Sequence, residues 1–163
     1  MGIVDRYRKQ RRSEQNQGQP LGGGLDEAPA PPLRGRAFVA DLRVDKPVEE
    51  GGRRGLRVAF RLELEALAGL RLVLETTLHD QELGQFRSRL PALADTQGLL
   101  NVWEIVKPGG DAPSALERAV FFPFEALDAQ REGKRGCFAR VRVLEEGHGA
   151  IAQSEAAFAI EAG

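Results

Sequence analysis

From residue 36 onward the hydrophobic and polar positions alternate with a period near two, which is the pattern of strands with one buried face. The clearest run is Leu56-Arg57-Val58-Ala59-Phe60-Arg61-Leu62-Glu63-Leu64-Glu65. Leu56, Val58, Phe60, Leu62 and Leu64 fall on one side of it, and the other side is charged apart from Ala59. A helix would spread these Leu and Arg residues around its circumference, so the run predicts a half-buried strand. Just upstream, Phe38, Ala40, Leu42 and Val44 are expected to share a face, with Asp41, Arg43 and Asp45 opposite. After a connection at Pro47, Gly51 and Gly52 and a turn at Ala68-Gly69, Leu70, Leu72, Leu74, Thr76 and Leu78 form a third face, opposite Arg71, Glu75, Thr77 and His79. Further strands are expected over 99–107, 115–124, 137–145 and 151–161.

About seven short antiparallel strands with turn clusters between them, and no long helical pattern, predict an all-β fold. The expected architecture is a two-sheet antiparallel β-sandwich, immunoglobulin-like or related, of seven to eight strands; a closed barrel is the second choice.

Two segments break the alternation. Along 99–106, Leu100, Val102 and Val106 lie on one face while Leu99, Trp103 and Ile105 make the other face apolar as well. At the end of the next strand Val120, Phe122 and Phe124 share a face, with Ala119 and Phe121 opposite. An outer sandwich face is normally wet, so these side chains call for a cover. Three readings stay open: a loop such as 84–98 or the N-terminal residues fold over them, a protein partner covers them, or the strands are misassigned. Trp and Phe are enriched in buried interface centres, which makes Trp103, Ile105 and Phe121 the candidate partner-binding residues. Pro123 lacks an N–H and belongs at a strand end or a sheet edge.

Composition changes at the N-terminal side. Residues 13–35 hold a Gly triplet, repeated Pro and Gln and few bulky apolar side chains, the composition of a flexible linker. The expected organisation is a basic amphipathic segment over 1–12, a linker over 13–35 and the sandwich over 36–163. In residues 2–12 (GIVDRYRKQRR) a helix would place Ile3, Val4 and Tyr7 on one side and Arg6, Arg8, Lys9, Arg11 and Arg12 around the rest. Such a segment suits docking to a partner groove, with Ile3, Val4, Tyr7 and Arg8 as contacts, or binding to anionic lipid. A plain disordered tail is the equal alternative. It is too short to be a stable helix alone.

Charge and chemistry mostly exclude. In 163 residues there are 23 Lys+Arg against 24 Asp+Glu, so no overall basic field points to nucleic acid. Residues 1–35 carry 6 basic against 4 acidic groups and the remainder 17 against 20, so the excess positive charge sits in the N-terminal segment. A single Cys rules out an intramolecular disulfide, and Cys137 with His79 and His148 is too few ligands for a structural zinc site. No cofactor or metal is expected. The absence of a long apolar run or a secretion signal makes a cytoplasmic location the expectation.

The catalytic candidates read as ordinary residues. His79-Asp80 are adjacent on a strand and point apart, so His79 is expected as a solvated strand-end residue. His148 lies in a hairpin turn, and Cys137 is expected to be a small buried hydrophobe. Asp41, Asp45, Asp80, Asp95 and Asp111 lie near strand ends, as in calcium-binding sandwiches of the synaptotagmin type, but without paired Asp-x-Asp spacing; they are expected to be solvated loop carboxylates. No nucleophile elbow, phosphate loop or zincin motif occurs.

Phe121-Phe122-Pro123-Phe124-Glu125-Ala126-Leu127, a loop with Gly133, then Cys137-Phe138-Ala139-Arg140-Val141-Arg142-Val143 and Ser154 through Phe158 resemble a bacterial β-sandwich accessory module. That module is found alone or beside tellurite-resistance-type helical domains. The resemblance covers about residues 36–161, its specific part being 120–158. It departs in an aliphatic third strand near Thr76 to Leu78 and in Ala/Leu/Arg-rich residues 87–97. It implies the sandwich fold and a noncatalytic accessory role, with no ligand or catalytic residue to carry over. Taken together, the expectation is a noncatalytic adaptor or assembly subunit that binds a protein partner or a second copy of itself, with no nucleic acid. The alternative is a peripheral module held on anionic lipid by its basic N-terminus.

Overall fold

The alternation of Leu56 to Leu64 produces a strand whose apolar side chains are all buried, and the rest of the fold is arranged around it. A computed structural model describes residues 32–127 and 133–162. Within these the chain forms β1 (Arg36–Glu50), β2 (Arg53–Glu65), β3 (Leu72–Asp80), β4 (Gly84–Gln85), β5 (Asn101–Val106), β6 (Ser114–Pro123), β7 (Gly133–Glu145) and β8 (Gly149–Ala162). Two single 3-10 turns, Pro91–Leu93 and Phe124–Ala126, complete it, with no α-helix among the described residues. The segment expected over 1–12, and residues 13–31 of the linker expected over 13–35, lie outside the described residues.

The fold is an all-β, two-sheet antiparallel sandwich. One sheet has three strands in the order β1-β2-β6. The other has five: β8 pairs with β7 and β7 with β3, while β5 and β4 share the far edge of β3. The core fills the space between the sheets. Leu56, Val58, Phe60 and Leu62 of β2 meet Leu72, Leu74 and Leu78 of β3 and Cys137, Ala139, Val141 and Val143 of β7 within one cluster. β1 and β8 run beside each other along one flank. The opposite flank is bounded by the edge strands β5 and β6. The β2–β6 pair approaches closely at Gly55, where an added Cβ would lie 2.1 Å from the Phe122 carbonyl oxygen.

β1 differs from its expected phase. Ala37 and Val39 pack inward, paired with Leu64 and Leu62, and Phe38 points out with 61% of its surface exposed. Leu42 and Val44 then pack inward as expected. The change of phase occurs at a bulge between Ala40 and Arg43, where Asp41 adopts a left-handed backbone with φ of 54°. One extra residue in a bulged strand reverses which side chains face the core. Asp41 tolerates that backbone better than a branched residue would, and its carboxylate pairs with Arg61 of β2 at 2.6 Å.

β3 also departs from a simple half-wet strand, because every residue from Leu72 to Asp80 is buried. It is flanked on both edges, by β7 and by β5 with β4, so neighbouring side chains cover its outer face as well as its inner one. Pro123 ends β6, an edge strand, where its missing N–H leaves no gap in a ladder.

Candidate functional site

The outer face of the five-stranded sheet gathers the polar and aromatic side chains that alternation placed opposite the core. Register makes Glu75 of β3 the neighbour of Trp103 on β5 and of Arg142 on β7. Glu75 is only 1% exposed. A carboxylate removed from water requires donors and a counter-charge. Asn101 supplies one through its Nδ2, which donates to Glu75 Oε2 at 3.0 Å, and Arg142 Nη1 stands 3.8 Å from Oε1.

Toward the β4 end, His79 is buried at 8% exposure, which corrects the expectation of a solvated histidine. Its Nε2 is 2.8 Å from Thr77 Oγ1, and its ring stacks on Phe138 with centroids 4.8 Å apart and planes 3° from parallel. The Arg140 guanidinium lies 5.4 Å from the Phe138 ring centroid, and its Nε donates to Glu155 at 2.9 Å. Arg140 and Arg142 thus each have a carboxylate on the same face, which gives the surface a Trp, Phe and Arg character with those two charges opposed.

At the other end the face turns apolar. Val73 and Leu144 are buried against each other with Trp103 packed on them, and Ile105, paired across from Val73, is 44% exposed. Trp103 and Ile105 therefore form one corner on an edge strand. Phe121 is half-buried on the outer face of the other sheet, opposite Arg57. The structure thus separates Phe121 from Ile105. Trp103 and Phe121 still both border a slot of about 300 Å³ between β5 and β6, floored by Leu74 and Thr76. Arg118 and Glu104 form an ion pair across this flank at 3.0 Å. Ile3, Val4, Tyr7 and Arg8 lie outside the described residues.

The remaining candidates are held in structural roles. Cys137 is fully buried on the inner face of β7; burial pushes its thiol pKa up, with the nearby Asp80 charge adding to the effect. A thiol so placed is a poor nucleophile. His148 contacts Glu145 across the β7–β8 turn. Asp80 is buried rather than solvated: it accepts from the amides of Glu82 at 2.8 Å and Leu83 at 3.1 Å and pairs with Arg135 at 3.2 Å. Asp95 accepts from the amides of Gln97 and Leu99, and Asp111 from that of Ala68. These aspartates organise turns. Among the described residues no three His, Cys, Asp or Glu side chains gather as metal ligands, and no helix is long and apolar enough to cross a membrane.

Sequence reasoning missed the Glu75–Asn101–Arg142 cluster and the Arg118–Glu104 pair. A signal for Arg118 was present, since it shares parity with Val120 and Phe122 and so faces inward.

No family model matches the chain, and no curated protein matches it. Among solved structures it is similar to the Pseudomonas fluorescens alkylpurine DNA glycosylase AlkC bound to DNA containing an abasic site analog. The two share 15% identity at a TM-score of 0.36, over 78% of this chain and 31% of that one. At that score the likeness carries no argument, and the chain spans under a third of that protein's length.

Proposed function

We propose that this chain is a noncatalytic protein-interaction module, an adaptor or assembly subunit of the cytoplasm. The outer face of its five-stranded sheet binds a protein partner, and its N-terminal segment acts as a tether. The observation that carries this reading is the corner formed by Trp103 and Ile105 on the edge strand β5, with Val73 and Leu144 beneath and the Glu75–Arg142 pair beside it. A Trp with an exposed aliphatic neighbour, ringed by neutralised charges, has the composition of an interface centre with a polar rim. Sites for acid–base or nucleophilic chemistry gain no comparable support, since the Cys and both His are occupied by burial, stacking or a turn contact.

The test is affinity capture from cell extract with the full chain and with its Ile105→Asp and Phe121→Asp variants. Loss of a captured protein with Ile105→Asp alone is the expected result. Equal capture by all three proteins overturns the assignment of this face. Retention on anionic vesicles that disappears without residues 1–12, with no captured protein, would favour the lipid reading instead.

A further inference from the structure

Phe38 is the most exposed large apolar side chain among the described residues, and it sits on an ordered strand beside a hollow. The hollow measures about 600 Å³ and lies at the end of the three-stranded sheet where the chain enters β1. Phe38, Leu64 and Ala115 give it apolar surface, and Arg36, Glu63 and Glu65 line its rim. The β1 bulge is what turns Phe38 out here, so its exposure is built into the backbone rather than a matter of rotamer. A bulky aromatic held in water is unfavourable unless something covers it.

Charge and chain geometry point to the same occupant. Glu63, Glu65, Glu117, Asp41 and Asp111 lie at this end of the sheet against Arg34, Arg36 and Arg61; Glu65 is paired with Arg36, and Glu63 and Asp41 with Arg61, so the acidic groups still exceed the basic ones, five against three. Residues 1–12 carry five basic side chains against one acidic, together with Ile3, Val4 and Tyr7. The chain joins the domain next to the hollow: Leu33 packs against the core, and Gly35 approaches so closely that an added Cβ would lie 2.2 Å from the Ala66 carbonyl oxygen. Roughly 20 residues of Gly-, Pro- and Gln-rich sequence separate position 12 from that anchor, a span on the order of 25 Å for a chain of such composition. Reach is therefore ample, and a tether of this length holds its end at about millimolar local concentration.

We propose that residues 2–12 of the same chain dock in this hollow, with Ile3, Val4 and Tyr7 covering Phe38 and the basic side chains meeting Glu63, Glu65 and Glu117. The docked segment is then withheld from other partners until one competes for it. This inference is independent of the Trp103 and Ile105 surface.

Trypsin cleavage after Arg6, Arg8, Lys9, Arg11 and Arg12, followed by mass spectrometry on dilute full-length protein, tests it. Where docking and undocking are rapid relative to cleavage, the cutting rate reports the undocked fraction, and about fivefold slower cutting is expected in the native chain than in Phe38→Glu or Tyr7→Ser. Phe38 is exposed, so its substitution leaves the core packing intact and the chain folded; Tyr7→Ser lies outside the sandwich and gives a second, independent disruption. Ile105→Asp should leave the protection intact, which separates this outcome from that of the proposed partner surface. Equal cutting in all chains overturns the docking. Protection that survives Phe38→Glu, or that grows with protein concentration, overturns it in favour of another surface or a second copy.

Discussion

Arg118 of β6 and Glu104 of β5 point inward from the edge strands of opposite sheets and pair at 3.0 Å across the open flank of the sandwich. Arg118 lies beside Phe60 in the ladder, in a row that is otherwise apolar over Leu56, Val58 and Leu62. Inward-pointing charges on edge strands discourage pairing with a foreign strand. Both side chains are more than a third exposed, so the pair itself contributes only about 0–1 kcal/mol. Arg118→Val is therefore expected to leave the urea midpoint nearly unchanged while promoting concentration-dependent association in light scattering. A variant as monodisperse as the parent would remove the protective role.

Glu75 carries a larger stake because it is buried. Glu75→Ala strands Arg142 and the Asn101 amide on a covered face, an expected loss of about 3 kcal/mol. Replacing both charges, Glu75→Leu with Arg142→Met, should recover most of that loss in equilibrium denaturation. A double variant as unstable as the single one would show that the pair does more than neutralise itself.

The bulge predicts a residue-specific sensitivity at Asp41. Asp41→Val places a β-branched side chain at a φ of 54° and is expected to cost about 1–2 kcal/mol, whereas Asp41→Gly relieves the backbone and loses only the exposed contact to Arg61. Thermal melts of the two variants decide this: equal destabilisation would mean that the ion pair, not the backbone, dominates.

Cys137 links stability to alkaline pH. Burial raises its pKa in the folded chain, so the unfolded chain ionises first as pH rises. Between the two values the unfolded state has lost a proton that the folded state keeps, and stability falls with rising pH; below the ordinary thiol range this contribution is level. The urea midpoint of the parent should therefore decline more steeply above that range than the midpoint of Cys137→Ala. Parallel curves would show that the thiol does not contribute. At neutral pH the native thiol should resist alkylation that proceeds readily in urea.

At the centre of the core, Phe60→Ala is expected to cost about 3–5 kcal/mol, since the ring is fully buried between the sheets. Denaturant unfolding measures it directly. A cost near 1 kcal/mol would indicate that the sheets close over the space.

The faces of β2, β5 and β6 were legible in the sequence because strand alternation is a local property. Leu56, Val58, Phe60, Leu62 and Leu64 are buried, Leu100, Val102 and Val106 face in, and Trp103 and Ile105 face out; Phe124, expected on the face of Val120 and Phe122, instead lies exposed in the 3-10 turn that follows Pro123. The phase of β1 at Phe38 was not legible, because one bulge residue reverses the phase without changing the composition of the run. Nor was the burial of His79, which depends on Phe138, 59 positions away in the chain, arriving as its ladder neighbour on β7.

The candidate surface divides the same way. Apolar outer positions at Trp103, Ile105 and Phe121 can be counted from the residues alone, and so can the segregated basic charge of residues 1–12. Only the tertiary structure decides that β5 and β6 belong to different sheets, which places Phe121 apart from Ile105 and brings Glu75, Asn101 and Arg142 together. The sequence by itself determined which side of most strands avoids water, because each pleat turns successive side chains to opposite faces. Which strands become neighbours, and hence which outward side chains share a surface, was decided by long-range hydrogen-bonded pairing and by the requirement that one core fill the space between two sheets.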